Sequence, residues 1–306
     1  MPRIAMRRPM RSGPAARVMI VMPSGMSMPP PRPWTTRAPM SISMEDAKAH
    51  RTEPATKKAI AAAAAAGWVD AVVGGGGLVL IPAMLIAQPG LPIATALGTN
   101  KLAAVFGTAS AAWRYVRHVR IDLRRLIPVF VAALAFSALG ATVAVVLPTE
   151  IFTPIVLVML VGVGLFVALN PGFGTDASTG PRSRVSTIAG LVLAGVVVAF
   201  YDGVMGPGTG TFLIISLTAL VGTSFLESSA MAKVINTGTN LGALTVFGLQ
   251  GNVLWLLGLG LAVANIVGAQ IGSHMAIGRG SSFVRWVLLA VVVVMVGKLG
   301  YDLIVG

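Results

Sequence analysis

No cysteine occurs among the 306 residues. That absence excludes disulfides, thiolate metal sites and thiol-based sulfur chemistry. Charge is nearly as scarce, at 11% of residues, where a soluble domain carries about a quarter. The three histidines, His50, His118 and His274, fall in no metal-ligand spacing. The nucleotide-binding pattern Gly-x-x-x-x-Gly-Lys-Ser/Thr is missing, and no Ser/His/Asp set is suggested by position. The expectation is therefore a protein that is not an enzyme and needs no metal or cofactor.

What the chain has instead is apolar length. Hydrophobic residues make up 55% of it, and runs of around 20 residues, enough to cross a bilayer as helix, recur along most of it. The reading is an all-α polytopic membrane protein whose main partner is the lipid bilayer. The net charge of +13 raises nucleic acid as a partner, but residues 1–58 alone hold eleven Lys or Arg against three acids. Most remaining arginines lie between apolar runs, as the positive-inside bias of membrane proteins requires, so no nucleic-acid partner is expected.

Residues 1–55 are rich in Met, Pro, Arg and Ser, with no acid before Glu45. Such a composition buries no core, so a disordered extension is expected, with Met44 as a candidate internal start. Eight hydrophobic segments follow: Ala59 to Gln88, Ile93 to Tyr115, Leu126 to Leu147, Ile151 to Leu169, Ile188 to Leu220, Phe225 to Leu249, Val253 to Ile277 and Phe283 to Ile304. The polar stretch Asn170 to Ser186 divides them into a first repeat, 56–170, and a second, 187–306, with 171–186 as linker.

The division into two homologous halves rests on an offset of 132 residues. It pairs Asp70 with Asp202, Gly74 with Gly206, Gly76 with Gly208, Lys101 with Lys233 and Gly140 with Gly272. In each half the first segment is broken by glycines, at Gly74, Gly75, Gly76 and Gly77 and again at Gly206, Gly208 and Gly210. A helix broken inside a membrane frees backbone N–H and C=O groups, which survive only against protein or a watery cavity. The N-terminus of the second half-helix offers unpaired donors and about half a positive charge, so it favours an anion. Two such breaks in matching places point to a transporter site. Close packing through small residues is the structural alternative.

Lys101 and Lys233 lie within apolar segments, where an ammonium costs about 2.5–3.5 kcal/mol on insertion scales and needs a partner. Asp70 and Asp202 are the obvious partners, as ion pairs or as acceptors of a coupling proton. Asn236 and Asn240 share a helical face with Lys233, and that stripe is expected to line the path. Asn100 and Thr209 complete the expected substrate-binding set with the glycines and lysines. Trp68, Trp113, Trp255 and Trp286 sit near segment ends, as interfacial anchors do.

Orientation stays open between two assignments. If every segment crosses fully, both termini share the side of the basic loop 114–125, the repeats are parallel, and Arg279 and Arg285 lie opposite. If each glycine-broken segment is re-entrant, 114–125, 182–184 and 279–285 all fall on the cytoplasmic side and the repeats are inverted.

The run Gly67-Trp68-Val69-Asp70-Ala71-Val72-Val73-Gly74-Gly75-Gly76-Gly77-Leu78 resembles the first motif of the sulfite exporter TauE/SafE family. Leu97-Gly98-Thr99-Asn100-Lys101-Leu102, with Ser110 to Tyr115 after it, resembles the next. Phe200 to Thr211 looks like the family's second-half motif, and Ala232-Lys233-Val234-Ile235-Asn236 its companion. The resemblance covers Ala59 to Gly306. It implies a multi-pass permease of the bacterial cytoplasmic membrane that moves a small anion such as sulfite or an organosulfonate, and it is compatible with a homo-oligomer. A passive anion channel, and a cation or proton-coupled transporter using Asp70 and Asp202, are the alternatives.

Overall fold

A computed structural model of the chain describes residues 20–21, 27–28, 53–88, 90–144, 165, 167–170 and 182–305. It divides into two compact units, Met1–Ser43 and Met44–Gly306. In the smaller unit the described residues are two short strands, β1 (Ile20–Val21) and β2 (Ser27–Met28), paired antiparallel with Ile20 opposite Met28. Most of the 1–55 extension, of the expected fourth segment and of the 171–186 linker lies outside the described residues.

The described part of the larger unit is helical. In chain order it comprises α1 (Glu53–Val73), α2 (Gly76–Ala87), α3 (Ile93–His118) and α4 (Leu123–Ala144). After the linker come α5 (Arg184–Val192), a π-helical turn over Leu193–Val198 and α6 (Ala199–Val204). Then follow α7 (Thr209–Val221), α8 (Phe225–Leu249) and α9 (Trp255–Val305), the last bent at Gly280, where φ is +72°. The stretches Leu123–Ala144, Arg184–Val204 and Trp255–Val294 are long and apolar enough to cross a bilayer. α3 and α8 have the length, at 26 and 25 residues, and carry the two lysines.

Local chemistry sets these boundaries. α8 begins with a capping box: Glu227 N donates to Ser224 Oγ at 3.2 Å, and Ser224 N donates to the Glu227 carboxylate at 3.0 Å. Ser183 caps α5 by accepting from Ser186 N at 3.1 Å. α7 stops at Gly222, which takes the left-handed conformation of a helix C-terminus.

α2 and α7 are short. Their 12 and 13 residues span about 18–20 Å at the helical rise, against about 30 Å of hydrocarbon. α2 doubles back on α1, and α7 doubles back on α5. Ala59, Ala63 and Ala66 of α1 share one buried cluster with Leu80, Ile81 and Met84 of α2. Ser186 Oγ at the start of α5 donates to Leu220 O near the end of α7 at 2.8 Å. Both glycine-broken segments are thus hairpins of helix that return to the end they came from, rather than interrupted crossings.

Around the hairpins, α9 packs along α1 and α3, α8 against α4 and α3, and α4 against α6. In a bilayer such contacts rely on close backbone approach through small residues. At the α4–α6 crossing a Cβ on Gly203 would fall 2.0 Å from Ser137 O. Outward faces are apolar: Val263, Val267 and Ile271 stand exposed at four-residue spacing on α9. Trp113 and Trp255 are exposed near helix ends and Trp286 is exposed near the bend of α9, where an aromatic belt belongs.

Gly203→Ala is expected to lower stability by about 1–3 kcal/mol through overpacking. Gly260→Ala, with nothing within 4 Å of its added methyl, should leave it unchanged. Thermal unfolding of both variants in detergent, followed by size-exclusion fluorescence, checks the pair.

Candidate functional site

The breaks of the two hairpins meet. Gly74 ends the first descent and Gly210 opens the second return, and a Cβ on either would lie within 2.1–2.2 Å of the other's Cα. Gly74, Gly206 and Gly208 hold φ of +75°, +89° and +80°, a conformation glycine adopts readily, and at Gly74 the close contact with Gly210 requires glycine as well. Thr211 N donates across the junction to Gly74 O at 3.2 Å.

Ending α1 at this depth leaves its last carbonyls without intrahelical partners. Each finds one. Lys233 Nζ and Gly74 N donate to Asp70 O, and Tyr115 Oη donates to Ala71 O at 3.0 Å. Ser229 Oγ donates to Val72 O and Thr211 Oγ1 to Val73 O, both at 3.1 Å. The partners come from α3, α7 and α8, so three helices converge on one helix end. At the second break Tyr201 Oη donates to Pro207 O at 2.5 Å, and Thr209 Oγ1 donates to Gly206 O at 2.8 Å.

The ion pairs link residues far apart in the chain. Lys101 Nζ lies 2.7 Å from Asp202 Oδ2, with both side chains almost wholly buried. Lys233 Nζ lies 3.6 Å from Asp70 Oδ2, and its side chain is fully buried. Each acid also stands at the start of a returning half-helix. Asp202 Oδ1 accepts from Thr209 Oγ1 at 2.7 Å, and Asp70 Oδ1 lies 3.5 Å from Gly76 N. A carboxylate at a helix N-terminus is favoured by the exposed N–H donors and the helix dipole.

Where the breaks meet lies a cavity of about 20 Å³, room for one water on the usual threshold. Of the residues expected to bind substrate, Gly74, Gly75, Gly76, Gly77, Asn100, Lys101, Gly206, Thr209, Asn236 and Asn240 line it, together with Asp70 and Asp202. Two do not. Gly208 instead holds the turn that begins α7. Lys233 is turned onto Asp70, because a buried ammonium takes its closest acceptors, here a carboxylate and a helix-end carbonyl. Ala104, Gly210 and Asn265 also line the cavity. Neither Asn265 nor Ala104 is among the residues expected to bind substrate. Asn236 and Asn240 are joined by a 3.3 Å hydrogen bond from Asn240 Nδ2 to Asn236 Oδ1. Among the described residues no group of three His, Asp or Glu comes together to hold a metal.

The profile of the sulfite exporter TauE/SafE family matches residues 59–299. The chain is similar to a probable membrane transporter protein of a Sinorhizobium species, at 36% identity over 79% of this chain and 90% of the relative. A probable membrane transporter protein of Haemophilus influenzae is 32% identical over 78% of this chain and 91% of its own length. The probable membrane transporter protein YfcA of Escherichia coli is also 32% identical, over 78% and 86% of the two chains. No solved structure matches the chain.

Tyr115→Phe removes one hydroxyl from the α1 end and no packing. It should cost about 0.6–1.7 kcal/mol, the range of interhelical hydrogen bonds in membranes. Unfolding in mixed micelles of detergent and denaturant measures it. An unchanged midpoint would show that Ala71 O does not depend on this donor.

Proposed function

This chain belongs to the sulfite exporter TauE/SafE family of membrane transporters, and we propose that it carries a small anion, sulfite or an organosulfonate, across the bacterial cytoplasmic membrane. One observation carries the reading. The α2 and α7 N-termini, the Lys101 ammonium and the side-chain amides of Asn100, Asn236 and Asn240 converge on one buried cavity. Positive helix ends, an ammonium and amide donors are the groups that replace water around an oxyanion. The cavity has room for only about one water, which favours a carrier that must open to load over a standing pore.

The architecture that goes with this reading is eight hydrophobic segments in two inverted halves. The packing supports it: a Cβ on Gly140 would meet Phe200 O, and one on Gly272 would meet Trp68 O, two contacts related by the 132-residue offset. The re-entrant hairpins bring Arg120, Arg124 and Arg125 to the same end as Arg182, Arg184, Arg279 and Arg285. That concentration of arginine orients this end to the cytoplasm.

Two experiments test the proposal. Purified protein in proteoliposomes should take up one or two of sulfite, sulfate, sulfoacetate, taurine and acetate saturably. Lys101→Met should weaken apparent affinity about 10- to 100-fold, the loss of one charge-assisted contact; uptake of none of these anions would overturn the reading. For orientation, the natural lack of cysteine makes single-cysteine labelling direct. Gly251→Cys should react with an impermeant thiol reagent in intact cells, and Arg120→Cys only after permeabilisation.

A further inference from the structure

The charges that meet at the hairpin junction cancel. Lys101 and Asp202 form one pair, Lys233 and Asp70 the other, and all four side chains are buried or nearly so. The two pairs are not equivalent. Lys233 is fully buried, holds the Asp70 carbonyl as well as its carboxylate, and stays off the cavity wall. Lys101 and Asp202 both line the cavity. The Asp202 carboxylate occupies the place an incoming anion needs, on the Lys101 ammonium and beside Thr209, the first residue of α7.

From this geometry we infer that Asp202 is the coupling site: it is a tethered stand-in for the substrate anion, which it yields by taking a proton, so that one proton crosses with each monovalent anion and the cycle moves no net charge. The inference rests on the anion-carrier reading above and adds its coupling.

The step balances. In the empty state Asp202 is a carboxylate paired with the Lys101 ammonium. A proton from water on the loading side forms an O–H bond at the Asp202 carboxyl, and the monovalent anion takes over Lys101. Lys101 keeps its protons throughout, and the loaded site is as neutral as the empty one. Without the proton, the displaced carboxylate would remain buried and unpaired, which membrane and protein interiors penalise heavily. The groups that face Asp202 are Lys101 from α3, Thr209 from α7 and, farther off, the Lys233–Asp70 pair from α8 and α1. The Tyr201 hydroxyl beside it is already engaged with Pro207 O. Asp70 is the other acid on the cavity wall, and its partner Lys233 has no access to the anion.

The test uses the full chain in proteoliposomes with two probes, sulfite and isethionate, a sulfonate that keeps one charge at any neutral pH. Isotope uptake, lumenal pH and membrane current are recorded separately. The expected wild-type result is uptake of both probes with lumenal acidification and no current, and accumulation of isethionate, whose charge is fixed, by about tenfold per unit of inward pH gradient, as one-for-one coupling requires. In Asp202→Asn, accumulation on a pH gradient should be lost, and the anion movement that remains should carry current. Wild-type uptake that generates current and ignores the pH gradient overturns the inference while leaving the carrier intact. Retained pH-driven accumulation in Asp202→Asn removes the role from Asp202. Uptake of neither anion overturns the carrier reading and this inference with it. Should Asp202→Asn fail to assemble, the wild-type current and accumulation ratio still decide.

Discussion

A bilayer offers a broken helix no water, and that single constraint organises this protein. The carbonyls of residues 70–73 end α1 deep in the structure and accept from Lys233, Tyr115, Ser229 and Thr211. Because those donors come from α3, α7 and α8, satisfying one helix end obliges three other helices to meet there. The hydrogen bonds that make the break tolerable are therefore also the ones that build the site.

The ion pairs follow the same logic. An ammonium at membrane depth must be neutralised, and here Lys101 is neutralised by Asp202 and Lys233 by Asp70. Lys101 with Asp202 and Lys233 with Asp70 tie the two stretches of chain across their junction. Their environments differ: Lys233 is committed to a carbonyl and a carboxylate away from the cavity, whereas Lys101 lines the cavity with its aspartate.

Much of this is legible in the order of residues along the chain. Apolar length and sparse charge mark a polytopic helical protein, and the offset that pairs Asp70 with Asp202 and Lys101 with Lys233 marks where chemistry would gather. Ten of the twelve residues singled out for substrate binding line one cavity. Their glycines, amides and buried charge are conspicuous in an apolar sequence. Ala104 gave no sign, because a methyl group in an apolar run marks nothing. Tyr115, Ser229 and Thr211 matter through carbonyls that belong to other helices, and a carbonyl has no signature in a residue name.

By itself, then, the sequence determined the class of the protein, the location of its breaks and the inventory of buried polar groups, since each follows from hydropathy and residue chemistry along the chain. Tertiary structure alone decided that the broken segments return as hairpins, that Lys101 pairs with Asp202 and Lys233 with Asp70, and that Lys233 leaves the cavity while Lys101 stays. The reason is physical. Every ammonium and every freed carbonyl in a membrane needs a partner, but several partners satisfy the need equally in sequence. Only the packing of α3, α7 and α8 around the end of α1 selects among them.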